Sequence, residues 1–156
     1  MRVNLLKIRR FDDILPMVSG KVFHVTPTAN MHLIKKSGAL IPNSNLLNIS
    51  RFGNSSNGFF RQRGCVSFFD YRCFGTKDWE AHAYKCFPTQ ILNREPGDKI
   101  SILFLHKCKY DMLIPWTIWK KEEAWAERIV PYVETGYKGK VYLSDITEEL
   151  IVEFDN

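Results

Sequence analysis

Short apolar runs separated by polar turns dominate the hydrophobic pattern of this chain. Runs of this length that are rich in β-branched and aromatic residues are typical of β-strands. They predict strands at 22–26, 65–69, 100–106, 129–135, 141–143 and 150–154. Helical spacing predicts helices at 28–37, 78–87 and 115–128. The first twenty residues are predicted to be a partly helical or strand-like lead-in that ends at Gly20.

Capping and turn residues support these boundaries. Thr28 and Asp78 are predicted helix caps, and Gly38 suits the left-handed end of the first helix. A turn is predicted at 136–139, and the run at 100–106 is apolar enough for a central strand. Several strands with about three helices indicate a mixed α+β fold.

The stretch 41–64 is rich in Asn, Ser, Gly and Arg and is predicted to be a loop. A loop of this length in a compact domain tends to cover or line a site. Its arginines Arg51, Arg61 and Arg63 have guanidinium groups that match phosphate oxygens. Simple solvent exposure is the alternative for each of them.

Composition narrows the class of protein. The 156 residues suggest one domain spanning 1–156, and 45% hydrophobic with 13% aromatic residues argues against disorder. A formal net charge of +5 favours an anionic partner such as nucleic acid or a nucleotide, although an ordinary basic surface explains it equally well. The sequence shows no signal peptide and no apolar stretch of about 20 residues, so we expect a cytoplasmic protein without a membrane partner. Four cysteines without a C-x-x-C pair predict free thiols and no metal site.

Polar side chains on the predicted strands are the candidate site residues. His24 and Thr26 share one face of a strand that runs directly into a helix, a rigid edge suited to a polar ligand. Glu134 lies on an otherwise apolar strand, where charge stabilisation in a cleft or a plain salt bridge would explain it. Ser67 and Phe69 share a face of the second strand, with Tyr71 continuing it if the strand persists, and this group suits a planar ring. A plain core strand is the alternative.

Taken in order, these parts resemble the ADP-ribosyltransferase fold. The closest likeness is to minimal bacterial and phage members with a His–aromatic–Glu arrangement, such as the DarT-type DNA-modifying toxins. The resemblance runs from about residue 22 to 154 as short motifs. They are Phe23–Thr26 leading to Ile34 and Gly38–Leu40, then Gly64–Phe69, then Val133–Thr135 followed by Val141–Ile146.

The resemblance implies small mixed β-sheets that form a cleft for NAD, which is consumed as a substrate. It implies that His24 holds a ribose hydroxyl, that Thr26 supports that end, and that an arginine such as Arg51 or Arg63 touches the pyrophosphate. The remaining roles are a nicotinamide bracket of Ser67 and Phe69, with Tyr71 alongside, and Glu134 as the catalytic carboxylate. Phe69 stands where a tyrosine is expected, and four other acids compete with Glu134, namely Glu123, Glu127, Glu148 and Glu149.

The expected activity is therefore transfer of ADP-ribose to a nucleic acid or protein acceptor, in a toxin or a phage counter-defence factor. A non-catalytic binding or inhibitor module that keeps the fold is one alternative. An RNA 2′-phosphotransferase-like enzyme is another, since the loop arginines could grip an RNA phosphate. A nucleic-acid-binding domain that stacks bases on tryptophans is the third.

Overall fold

A seven-stranded sheet organises the protein. The computed structural model describes residues 1–42, 60, 63–91, 94–115, 117 and 130–155. Its strands are β1 (Arg2–Ile8), β2 (Val22–Pro27), β3 (Ala39–Leu40), β4 (Cys65–Asp70), β5 (Lys99–Leu105), β6 (Leu113–Pro115), β7 (Glu134–Lys138), β8 (Val141–Tyr142) and β9 (Ile146–Phe154). The large sheet has the order β1-β9-β5-β2-β4-β7-β6, while β3 and β8 form a separate pair. The predicted α+β class is confirmed.

The described helices are short and lie between the strands. They are α1 (Leu15–Val18), α2 (Met31–Ser37) and α3 (Lys77–Ala83), with 3-10 turns at Phe11–Ile14, Thr28–Asn30, Lys107–Met112 and Leu143–Asp145. Gly38 ends α2 at φ 76°, as predicted, because glycine adopts the left-handed conformation without a steric penalty. None of the helices in the described ranges has the length and apolar character needed to cross a membrane.

Apolar residues pack on both faces of the sheet. Because side chains alternate along a strand, Phe23 and Val25 of β2 join one core cluster and Val22 joins the other. On β4, Phe69 belongs to the first cluster and Phe68 to the second. We call these the Phe23 face and the Phe68 face. Every polar side chain on β2 or β4 must therefore be assigned to one face or the other.

Several predicted boundaries are corrected by the structure. β7 begins only at Glu134, because residues 130–133 form a turn in which Tyr132 takes the left-handed φ of 65°. The predicted turn at 136–139 is also wrong at its start, since Gly136 pairs with Ser67 inside the sheet. Thr76, not Asp78, caps α3. The predicted helix at 115–128 lies outside the described residues, apart from Pro115 in β6 and residue 117.

Candidate functional site

The sheet splits between β2 and β4. These strands pair only at Val22–Asp70 and Phe23–Phe69. Beyond that point β2 stays with β5 as far as Pro27, and β4 stays with β7 back to Cys65. The ladder therefore opens between residues 24–27 and residues 65–68, with β2 as one wall and β4 as the other. We call this opening the β2–β4 cleft.

His24 occupies the fork of the cleft. Its Nδ1 lies 2.8 Å from the carbonyl oxygen of Ser67 and must donate, because a carbonyl only accepts. The imidazole thus replaces a ladder bond where the strands part. Burial lowers the pKa of His24, and the bond to Ser67 opposes this shift less strongly. The neutral ring leaves Nε2 as a hydrogen-bond acceptor.

Neighbouring side chains fix the imidazole and its strand. The ring of Phe68 meets the His24 ring edge-on, with centroids 5.8 Å apart, which places His24 on the Phe68 face. Thr26 lies on the same face, is buried, and its Oγ1 accepts a hydrogen bond of 3.3 Å from Asn30. His24 and Thr26 are thus brought together, as the sequence predicts.

Two cations lie close to Cys65, and Lys138 shares with Cys65 the Phe23 face, opposite His24. Cys65 begins β4 and pairs with Lys138, and Arg63 stands two residues before it. Burial raises the pKa of the Cys65 thiol, while the charges of Lys138 and Arg63 act in the opposite direction. Both cations are therefore close to Cys65, where positive charge suits an anionic ligand. Arg51 and Arg61 lie outside the described residues.

Glu134 faces away from His24. Phe23, Phe69 and Glu134 form one row across three strands, so their side chains share the Phe23 face. His24, next to Phe23, points to the other face. The structure therefore does not bring His24 and Glu134 together, contrary to the roles that the resemblance implies for them in one NAD cleft.

The carboxylate of Glu134 has a structural partner. Glu134 is only 5% exposed, and its Oε2 accepts a hydrogen bond of 2.8 Å from the backbone N–H of Val130. This bond closes the turn that precedes β7. A carboxylate that binds a backbone N–H explains why an acid is tolerated on an apolar strand.

The predicted aromatic bracket is buried in the core. Phe69 stacks on Phe23 with centroids 5.4 Å apart, and Tyr71 is fully buried against Trp79 at 4.7 Å. The side chain of Ser67 shares their face, so only its backbone carbonyl reaches His24. The resemblance implies a place for Tyr71 beside the nicotinamide, whereas the structure buries its ring in an aromatic cluster of the core.

The buried hydroxyl of Tyr71 has no hydrogen-bond partner among the described residues, and burial raises its pKa. Tyr71→Phe removes this unsatisfied group while keeping the ring. We expect the free energy of unfolding to rise by about 1 kcal/mol. Urea denaturation should show a higher midpoint with an unchanged slope. Tyr137→Phe is the control, since the Tyr137 hydroxyl has a partner in Met112; an equal gain there, or no gain at Tyr71, would contradict the argument.

A polar group that sequence reasoning missed lies beside β2 on the Phe68 face. Ser101 of β5 is fully buried and its Oγ bonds the carboxylate of Glu149 at 2.8 Å. Thr28, predicted as a helix cap, bonds Ser101 at 2.9 Å instead. The available signal was Ser101 itself, a lone polar residue in the apolar run at 100–105.

Of the four other competing acids, the structure describes Glu148 and Glu149. Glu148 receives a hydrogen bond from Asn4 and lies 3.9 Å from Arg2, on the side of β9 that pairs with edge strand β1. Glu149 is 1% exposed beneath α2. Glu123 and Glu127 fall outside the described residues. Within the described part of the chain, no group of His, Cys, Asp or Glu is suited to hold a metal ion.

Comparison with known proteins gives no match: no family model, curated protein or solved structure matches this chain. The geometry of the β2–β4 cleft is therefore the basis for assigning a function.

Proposed function

We propose that the protein is an NAD-dependent ADP-ribosyltransferase that binds NAD in the β2–β4 cleft. One observation carries the proposal, namely that the sheet parts at His24 and fixes its imidazole, whose Nε2 can accept from a hydroxyl and has no hydrogen-bond partner among the described residues. A ribose hydroxyl is such a donor. Because the orientation is set by the bond to Ser67, the acceptor is preorganised for the ligand.

The charge around the cleft suits the rest of NAD. Arg63, two residues before β4, would neutralise the pyrophosphate. Cleavage of the nicotinamide–ribose bond then develops positive charge on the ribose, as in glycoside hydrolysis. A fixed carboxylate stabilises that charge and orients the acceptor.

The catalytic carboxylate is proposed to be Glu123 or Glu127. The three described competitors are engaged elsewhere: Glu134 with Val130, Glu148 with Asn4, and Glu149 with Ser101. None of these three carboxylates is directed at the β2–β4 cleft. Among the acids that compete with Glu134 in the sequence, this leaves Glu123 and Glu127.

Nicotinamide release from NAD tests this assignment. We expect either Glu123→Gln or Glu127→Gln to lower the rate of release by about a hundredfold or more, the magnitude typical of removing a charge-stabilising group. Glu134→Gln is the matched control, because the amide oxygen can still accept from Val130 and the rate should stay within about twofold. Loss of release in Glu134→Gln, with both other variants fully active, would overturn the assignment.

A non-catalytic NAD-binding module is the second candidate. The specific observation in its favour is that Glu134 faces away from His24. Isothermal titration with NAD, run beside the release assay, separates the two candidates, because this module binds NAD and releases no nicotinamide. Absence of NAD binding would overturn both. If NAD binds, transfer of phosphate from a 2′-phosphorylated RNA to NAD would support the phosphotransferase alternative.

A further inference from the structure

Behind the β2 wall lies a buried chain of polar side chains on the Phe68 face. It begins at half-buried Thr28, passes through fully buried Ser101 and ends at Glu149. Glu149 is 1% exposed, and its second oxygen, Oε2, lies 3.6 Å from the ammonium group of Lys35 on α2. Among the described residues that oxygen has no hydrogen bond. Burying a carboxylate this deeply is unfavourable unless hydrogen bonds and an ion pair compensate for the lost hydration.

The hydrogen bonds of this chain have a fixed direction. An ionised carboxylate only accepts, so Ser101 must donate its single proton to Glu149. The hydroxyl of Thr28 must then be the donor to Ser101. Every link depends on the next, and removing one leaves a buried polar atom unpaired. The chain therefore acts as a unit.

This hydrogen-bonded chain attaches the end of β2 to strands β5 and β9, which lie on the side of β2 opposite β4. Thr28 directly follows β2, whereas Ser101 and Glu149 belong to β5 and β9. The bond from Asn30 to Thr26 is local, joining the turn after β2 to β2 itself. Where β2 leaves β4, the chain through Thr28 adds to the β2–β5 ladder in holding β2 on the β5 side.

We propose that Glu149 is a positioning residue that acts through Ser101 and Thr28 to hold the β2 wall of the cleft, and that it sets ligand affinity without touching the ligand. The inference rests on the proposed function only for the identity of the ligand, NAD. His24 and Thr26 lie on the strand segment that the chain anchors. A wall that is free to move must be ordered on binding, which lowers affinity.

Thr28→Val is the sharpest test, because valine keeps the shape of the side chain and removes the donor. We expect the KM for NAD to rise about five- to tenfold, the equivalent of one hydrogen bond, with kcat within about twofold of wild type. Thr28→Ser restores the hydroxyl and should restore the KM. An unchanged KM in Thr28→Val, or a parallel fall in kcat, would overturn the proposal.

Hydrogen exchange of the backbone amides tests the chain without NAD. In Thr28→Val the amides of residues 24–26 should exchange at least about fivefold faster, and those of the β4–β7 ladder at the wild-type rate. If NAD does not bind the wild type, the proposed function fails, while faster exchange confined to β2 still supports anchoring. Unchanged exchange at residues 24–26 would overturn the anchoring whatever the ligand is.

Glu149→Gln is the complementary variant. Its amide oxygen still accepts from Ser101, but its attraction for the ammonium group of Lys35 is lost. We expect a smaller rise in KM than in Thr28→Val. Addition of the two effects in the double variant would show that the residues do not act as a unit and would contradict the proposal.

Discussion

His24→Ala is expected to weaken NAD binding at least about tenfold and to lower the free energy of unfolding by about 1–3 kcal/mol. The binding loss follows from removal of the Nε2 acceptor. The stability loss follows because the carbonyl of Ser67, bonded to His24 at 2.8 Å, is left without its partner where the strands part. Isothermal titration and urea denaturation measure the two effects separately.

His24→Asn is the matched control for this experiment. The asparagine amide can donate to the Ser67 carbonyl, as Nδ1 does, but offers nothing at the position of Nε2. We expect it to bind NAD as weakly as His24→Ala and to unfold at a denaturant concentration near that of the wild type. Wild-type affinity in either variant would show that NAD does not contact His24.

The wild type and His24→Asn should also differ in how their stability depends on pH. The pKa of His24 is lowered in the folded state, chiefly by burial, so the unfolded chain takes up the proton first. The stability of the wild type should therefore fall, relative to His24→Asn, as the pH drops below about 6.5, the ordinary histidine value. Above that pH the difference should be constant. The other histidines are common to both proteins and cancel, and parallel pH profiles would contradict the assignment.

The strands that border the cleft could be predicted from sequence, but the fork could not. β2, β4 and β5 stand where their β-branched and aromatic residues predict them. The point at which two paired strands separate is set by the packing on both faces of the sheet. Here the pairing stops after Phe23 and Phe69, which are 46 positions apart in the sequence. No local pattern encodes that contact.

Glu134 illustrates the other limit. A regular strand over 129–135 would put Tyr132 and Glu134 on one face. Instead, Tyr132 adopts the left-handed conformation in a turn, and β7 begins only at Glu134. Which face Glu134 then takes depends on its register with Phe69, and a slip of one residue would reverse it. By contrast, lone Ser101 in an apolar strand was a readable signal, because a buried hydroxyl needs a partner.

Gly136→Ala is expected to lower the free energy of unfolding by about 1–3 kcal/mol. Gly136 does not form the predicted turn, since it lies inside β7 opposite Ser67. A β-carbon there would come within 2.9 Å of Cγ and Cε1 of Phe60, a ring that is only 2% exposed. The glycine thus gives Phe60 room to pack on the β4–β7 half of the sheet.

A double-mutant cycle with Phe60→Ala separates this packing effect from backbone strain. Phe60→Ala alone should lower the free energy of unfolding by about 3–5 kcal/mol, because it empties a buried ring site. In that background Gly136→Ala should lose most of its effect, since the new methyl group meets no ring. The coupling should approach the full cost of Gly136→Ala in the wild type.

Gly139→Ala is the control for the cycle. Gly139 has a φ of 84° and no atom within 4 Å of an added β-carbon, so its substitution is unfavourable through the backbone alone. That effect should be the same with and without Phe60. Equal effects of Gly136→Ala in both backgrounds would show that Phe60 does not depend on this glycine. A strong coupling would show that Phe60 packs directly on Gly136 of β7.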